Sequence, residues 1–169
     1  KQLVKEYLSV IGEVKLSVIP FNIRLQEGET FNITNGNSDA LLKKISEFTY
    51  DGGTQFGAID LSQYNFDEIL LVTDGLATFG KKDIRLSAAP VTTITSSPSA
   101  DVSYLKYVAQ QSHGKFIDLS KMETKTALEE ISPEKQAALK ADLEAHGFSR
   151  KSIIVSLFAE SESMAVDQP

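Results

Sequence analysis

Apolar residues recur along this chain with two periods, and the switch from one to the other predicts the order of elements. Leu3, Val4, Tyr7, Leu8 and Ile11 fall at helical spacing with Gly12 behind them, so residues 2–11 read as an amphipathic helix. Val14, Leu16 and Val18 alternate instead, which predicts a strand over 14–21, and 31–33 is a short extended piece closed by Asn35-Gly36-Asn37. Leu41, Leu42, Ile45 and Phe48 return to helical spacing, with Ser38 or Asp39 as the cap. After Gly52-Gly53, residues 54–61 read as a brief helix. The run Ile69-Leu70-Leu71-Val72 then predicts a strand buried on both faces over 68–73.

The same alternation continues downstream. A loop carries the chain to Lys82, and Pro90 marks the start of a strand over 91–96. Asp101 caps a helix bearing Tyr104, Leu105 and Val108, which stops at His113-Gly114; residues 116–119 form the next strand. Past Met122 the chain is rich in Ala, Glu and Lys, with helices predicted over 124–131 and 132–146. The second has Ser132 as N-cap, Pro133 in the first helical position and Gly147 behind it. Residues 152–158 then form a strongly apolar strand.

Strands alternating with helices at this spacing mean βαβ units and a largely parallel sheet, so the expected class is α/β. Residues 1–122 form the α/β domain in this division, 123–151 a helical appendage, and 152–169 a terminal strand and loop.

Composition narrows the function. A 169-residue chain with 41% hydrophobic and 24% charged residues fits one ordinary globular domain. The net charge of −6, with no cluster of Lys and Arg, argues against nucleic acid and anionic membranes as partners. No apolar run is long enough to span a bilayer. With no cysteine and only His113 and His146, thiolate chemistry, Cys-based zinc sites and a Ser-His-Asp triad have little to draw on. Both histidines precede a glycine, which suits a helix C-terminus.

Two stretches carry candidate chemistry, Asp51-Gly52-Gly53-Thr54 and Thr73-Asp74-Gly75. Ligands collect where parallel strands end and helices begin, so a Thr hydroxyl and an Asp carboxylate delivered there suit a hard cation. Each has a plainer role, Thr54 as a helix cap and Asp74 as an acceptor for turn amides. The glycine turn lacks the Lys of a phosphate-binding P-loop and the third glycine of a dinucleotide fingerprint. Leu76 and Phe79, beside Asp74, are candidates for partner contact. Asn32-Ile33-Thr34 fits a glycosylation sequon, which has meaning only in a secreted eukaryotic setting.

Residues 1–122 resemble a von Willebrand factor A domain, of the variety found beside the domain shared by vault proteins and inter-alpha-trypsin inhibitor heavy chains. The resemblance rests on Asp51-Gly52-Gly53-Thr54, Leu71-Val72-Thr73-Asp74-Gly75 and the stretch Ala109-Gln110-Gln111-Ser112-His113-Gly114-Lys115-Phe116-Ile117, in that order. It implies a doubly wound, Rossmann-like sheet and a metal-ion-dependent adhesion site made from an Asp-x-Ser-x-Ser loop, a Thr and an Asp. Thr54 and Asp74 match the last two, with Mg²⁺ as the ion and a partner's carboxylate as its sixth ligand.

The family's first strand and its loop do not precede residue 2. Residues 153–158 have the look of that central strand, and Ala159-Glu160-Ser161-Glu162-Ser163-Met164 follows, an Asp-x-Ser-x-Ser-Met pattern with Ala in place of Asp. A permuted or swapped arrangement would put this segment in the middle of the sheet and make Ser161 and Ser163 the missing metal ligands. The resemblance thus implies an adhesion module rather than an enzyme, with no catalytic residues. Its partner would be a protein ligand or a neighbouring domain, in an extracellular or cell-envelope setting. The alternative is a metal-free structural scaffold within a larger surface protein.

Overall fold

The computed structural model describes residues 1–48, 53–131 and 150–156. In chain order the elements are α1 (Gln2–Ile11), β1 (Val14–Val18), β2 (Glu29–Ile33), α2 (Asp39–Glu47), a 3₁₀ turn at Phe56–Ala58, β3 (Glu68–Val72), β4 (Val91–Thr95), α3 (Val102–Gln111), β5 (Phe116–Asp118), α4 (Thr124–Ile131) and β6 (Arg150–Ser156). The expected helix over 132–146, with His146, and residues 157–158 of the expected last strand lie outside the described residues.

The six strands form one sheet in the order β2-β1-β6-β3-β4-β5. β1, β6, β3, β4 and β5 run parallel, and β2 pairs antiparallel with β1 at one edge. β6 occupies the middle, with Ile154 level with Val18 on one side and Leu70 on the other. A permuted arrangement would put the segment 153–158 here, and residues 153–156 of it do occupy this position. The chain is thus a mixed α/β protein built on a largely parallel sheet flanked by helices.

Apolar side chains cover both faces. Leu70 of β3 packs with Leu16, Ile94 and Ile117 beneath α1, α2 and α4, where Tyr7, Leu8 and Leu41 are fully buried. Its neighbours Ile69 and Leu71 point the other way, into a core with Phe56, Leu61, Val91 and Val108 of α3. Successive residues facing opposite cores is what the unbroken apolar run in β3 demands, since neither face meets water. Among the described residues no helix is long and apolar enough to cross a membrane.

Three local expectations need correction. The helix read over 54–61 is a single 3₁₀ turn, because the backbone bonds outward. Gln55 is extended and donates to the Asn22 carbonyl, while Gly57 donates to Lys81. Neither Ser38 nor Asp39 caps α2 with its side chain; Asn37 Oδ1 instead accepts from the Asp39 amide at 3.1 Å. β1 stops at Val18, short of Phe21, because Pro20 follows and offers no N–H, and Phe21 pairs back onto Leu25.

The end of α3 is a Schellman motif in which His113, not a glycine, takes the left-handed conformation at φ 59°. Its amide donates to Gln110 and that of Gly114 to Ala109. Gly114 is required for space instead, since a Cβ there would lie 2.0 Å from the Val91 carbonyl oxygen.

Candidate functional site

The C-terminal edge of the parallel strands gathers the two candidate stretches. β3 ends at Val72, and Thr73 still donates to the Ile94 carbonyl of β4 at 2.9 Å. Gly75, at φ 74°, then turns the chain, with its amide on Thr73 Oγ1. Asp74 therefore stands on the rim. Its backbone carbonyl accepts from the Asp101 amide at 2.8 Å, which ties the rim to the start of α3.

Thr54 reaches the same rim by a different route. Its amide donates to Thr78 Oγ1 at 3.1 Å, and its carbonyl accepts from the Thr78 amide at 3.0 Å. Thr78 lies four residues beyond Asp74, so the two loops are stitched together where β3 ends. Thr54 is not in a helix start, as its capping role would need; the 3₁₀ turn begins at Phe56.

Among the described residues both candidate side chains are under-satisfied. Thr54 is 3% exposed, and among the described residues no group hydrogen-bonds its hydroxyl. Asp74 is 8% exposed, and among the described residues no cation pairs with it. Its Oδ1 accepts from the Leu76 amide at 2.9 Å. Burial raises the Asp74 carboxyl above the ordinary value, and the amides of Leu76 and of Asp74 itself offset part of that shift. A buried carboxylate without a counter-charge is costly, and a cation bound beside it would remove the cost.

Around this pair the loop from Leu76 to Lys82 is firmly held. Lys82 Nζ lies 2.6 Å from Asp101 Oδ2, and Asp101 Oδ1 caps α3 by accepting from the Tyr104 amide. Those two contacts hold the Asp101 carboxyl below its ordinary value. The Tyr104 hydroxyl donates to the Lys82 carbonyl and is itself pushed up, chiefly by burial. The ring of Phe79 lies against Gly53, and Leu76 and Phe79 remain 38% and 48% exposed, which leaves an apolar rim beside the two oxygen donors.

Of the four sequence-nominated ligands, Thr54 and Asp74 share one edge. Ser161 and Ser163 lie outside the described residues, as do Asp51 and Gly52. β6 ends at Ser156, level with Val72, so its C-terminus points to the edge that carries Asp74. Among the described residues no group of three or more His, Cys, Asp or Glu side chains forms a metal cluster. His113 is exposed at the end of α3. Sequence reading missed Thr78, which sets Thr54, and knew Asp101 only as a cap; both act across long stretches of chain, and only Asp101 carried a local signal.

No protein-family model and no curated protein matches this chain.

Proposed function

We propose that this chain is a protein-binding module of the von Willebrand factor A type, engaging its partner at the C-terminal edge of the sheet through a divalent cation. The observation that carries this reading is the presence on one rim of a buried hydroxyl, Thr54, and a buried carboxylate, Asp74, with neither a hydrogen-bond partner for the hydroxyl nor a counter-ion for the carboxylate among the described residues. Hydroxyl and carboxylate oxygens are the donors that Mg²⁺ prefers, and the ion commonly keeps positions for water or a partner's oxygen. Thr54 and Asp74 would hold it, with Ser161 and Ser163 as further ligands. When bound, the ion supplies a positive centre that attracts a carboxylate of a protein ligand. Leu76 and Phe79 would contact apolar side chains around it.

One observation favours a second reading. Ala159 stands where the family's loop has an Asp, which removes a negative charge that a hard cation would use. A metal-free scaffold domain in a larger surface protein would keep the fold and dispense with the ion.

Thermal unfolding with and without Mg²⁺ separates the two. A module that binds the ion gains stability with ion concentration, by about 2.7 kcal/mol at one hundred times the dissociation constant. Thr54→Ala and Asp74→Asn should each abolish that gain. A melting curve of the unaltered protein that does not respond to Mg²⁺ would leave the scaffold reading.

A further inference from the structure

Thr54 owes its place to another residue. It belongs to no helix or strand, and the turn that follows it begins only at Phe56, so no regular ladder fixes its backbone. Thr78 does so from both sides. The Thr78 amide donates to the Thr54 carbonyl at 3.0 Å, and Thr78 Oγ1 accepts from the Thr54 amide at 3.1 Å. Both backbone polar groups of Thr54 are spent on one residue, which leaves its buried hydroxyl as the group with no partner among the described residues. The first of these bonds is main-chain to main-chain and survives a change of side chain at 78. The second exists only because residue 78 carries an acceptor.

The same short loop serves the other oxygen donor. The Leu76 amide, two residues before Thr78, donates to Asp74 Oδ1 at 2.9 Å. On the far side of Thr78 the ring of Phe79 lies against Gly53, next to Thr54 in the chain. Residues 76–79 therefore hold Asp74 from its own strand end and Thr54 from across the fold. Mg²⁺ demands near-ideal octahedral geometry, so donors on irregular chain serve it only when a supporting shell fixes them.

We infer that Thr78 is a positioning residue for the cation site, acting through the hydrogen bond that its side chain accepts from Thr54. As a role at a cation site this rests on the metal-binding reading of Thr54 and Asp74. The hold on Thr54 itself belongs to the protein without ion.

Thr78→Val tests it, because valine keeps the shape and the main-chain bond and removes only the acceptor. Thr78→Ser returns the acceptor. The first readout needs no ion: three-bond couplings to the Thr54 methyl report its χ1 rotamer, and hydrogen exchange reports its amide. Thr54 should hold one rotamer in the unaltered protein and in Thr78→Ser. In Thr78→Val the rotamer should average and the Thr54 amide should exchange about tenfold faster, the equivalent of one hydrogen bond. Couplings and exchange unchanged in Thr78→Val overturn the inference.

The second readout is the Mg²⁺ dissociation constant, taken from the rise of the melting temperature with ion concentration. Thr78→Val should weaken it about tenfold, as substitutions behind a metal ligand do, and Thr78→Ser should recover it. A merely structural role lowers melting with and without ion alike and leaves the dissociation constant where it was; that result also overturns the inference. An unaltered protein whose melting ignores Mg²⁺ refutes the metal reading instead, and the ion-free readout still decides whether Thr78 holds Thr54.

Discussion

Two buried aspartates stand at the C-terminal ends of parallel strands on either side of β4, and their surroundings are opposite. Asp118, at the end of β5, accepts from the Ser120 amide and hydroxyl and pairs with Lys121 Nζ at 3.2 Å. Burial alone would raise its pKa, but these donors reverse the effect and hold the carboxyl below its ordinary value. Asp74, beyond β3, has amide donors but no cation among the described residues, and burial raises it. Asp118 is a finished structural acceptor. Asp74 keeps negative charge in reserve at a rim that also presents the Thr54 hydroxyl, and that difference distinguishes a candidate site from a turn.

The largest effect is expected at the finished end. Asp118→Ala removes the acceptor for three donations and should cost about 2 kcal/mol in urea unfolding. Asp74→Asn keeps an acceptor for Leu76 and removes an uncompensated charge. Without metal at pH 7 it should leave stability unchanged or raise it by up to about 1 kcal/mol. A loss comparable to that of Asp118→Ala would make the two aspartates equivalent and erase the contrast.

Acidity sharpens the comparison, because the two groups act with opposite sign. The lowered Asp118 contributes stability fully above its ordinary value of 3.8, and the contribution is lost as pH falls through the lower folded value. The raised Asp74 is the reverse. The folded protein holds that proton more tightly, so its contribution is complete below 3.8 and is lost as pH rises through the higher folded value. Urea midpoints measured from pH 2 to pH 7 should show the deficit of Asp118→Ala shrinking in acid. The advantage of Asp74→Asn should grow as pH rises from 3.8 through the higher folded value of Asp74.

The smallest effect is expected at the clamp behind the site. Lys82→Ala breaks a part-exposed pair with Asp101 and should cost about 0.5 kcal/mol, measured by thermal melting in low salt. High salt should reduce that difference further.

Much of this was legible locally. The spacing of Leu3, Val4, Tyr7 and Leu8 located α1 and its buried face, and Asp101 was read correctly as the cap of α3. The apolar run around Leu70 located β3 and its burial on both sides. The expected helix at 54–61 failed because Gln55 and Gly57 bond to Asn22 and Lys81, partners that no local window contains. Thr78 was overlooked for the same reason. Its hydroxyl matters only because folding brings Thr54 to it.

Period and capping chemistry are properties of neighbours along the chain, so the amino-acid order by itself determined that segments such as α1, β3 and α3 became helix or strand and which of their faces turned inward. Strand order is a matter of long-range pairing. The residues of β6 are apolar enough for a centre, but their place between β1 and β3 was decided by two inner edges needing hydrogen-bond partners. Likewise Thr54 and Asp74 are twenty residues apart in sequence, and only the tertiary structure decided that they share a rim: Thr78 binds the Thr54 backbone, while the Asp101 amide holds the Asp74 carbonyl.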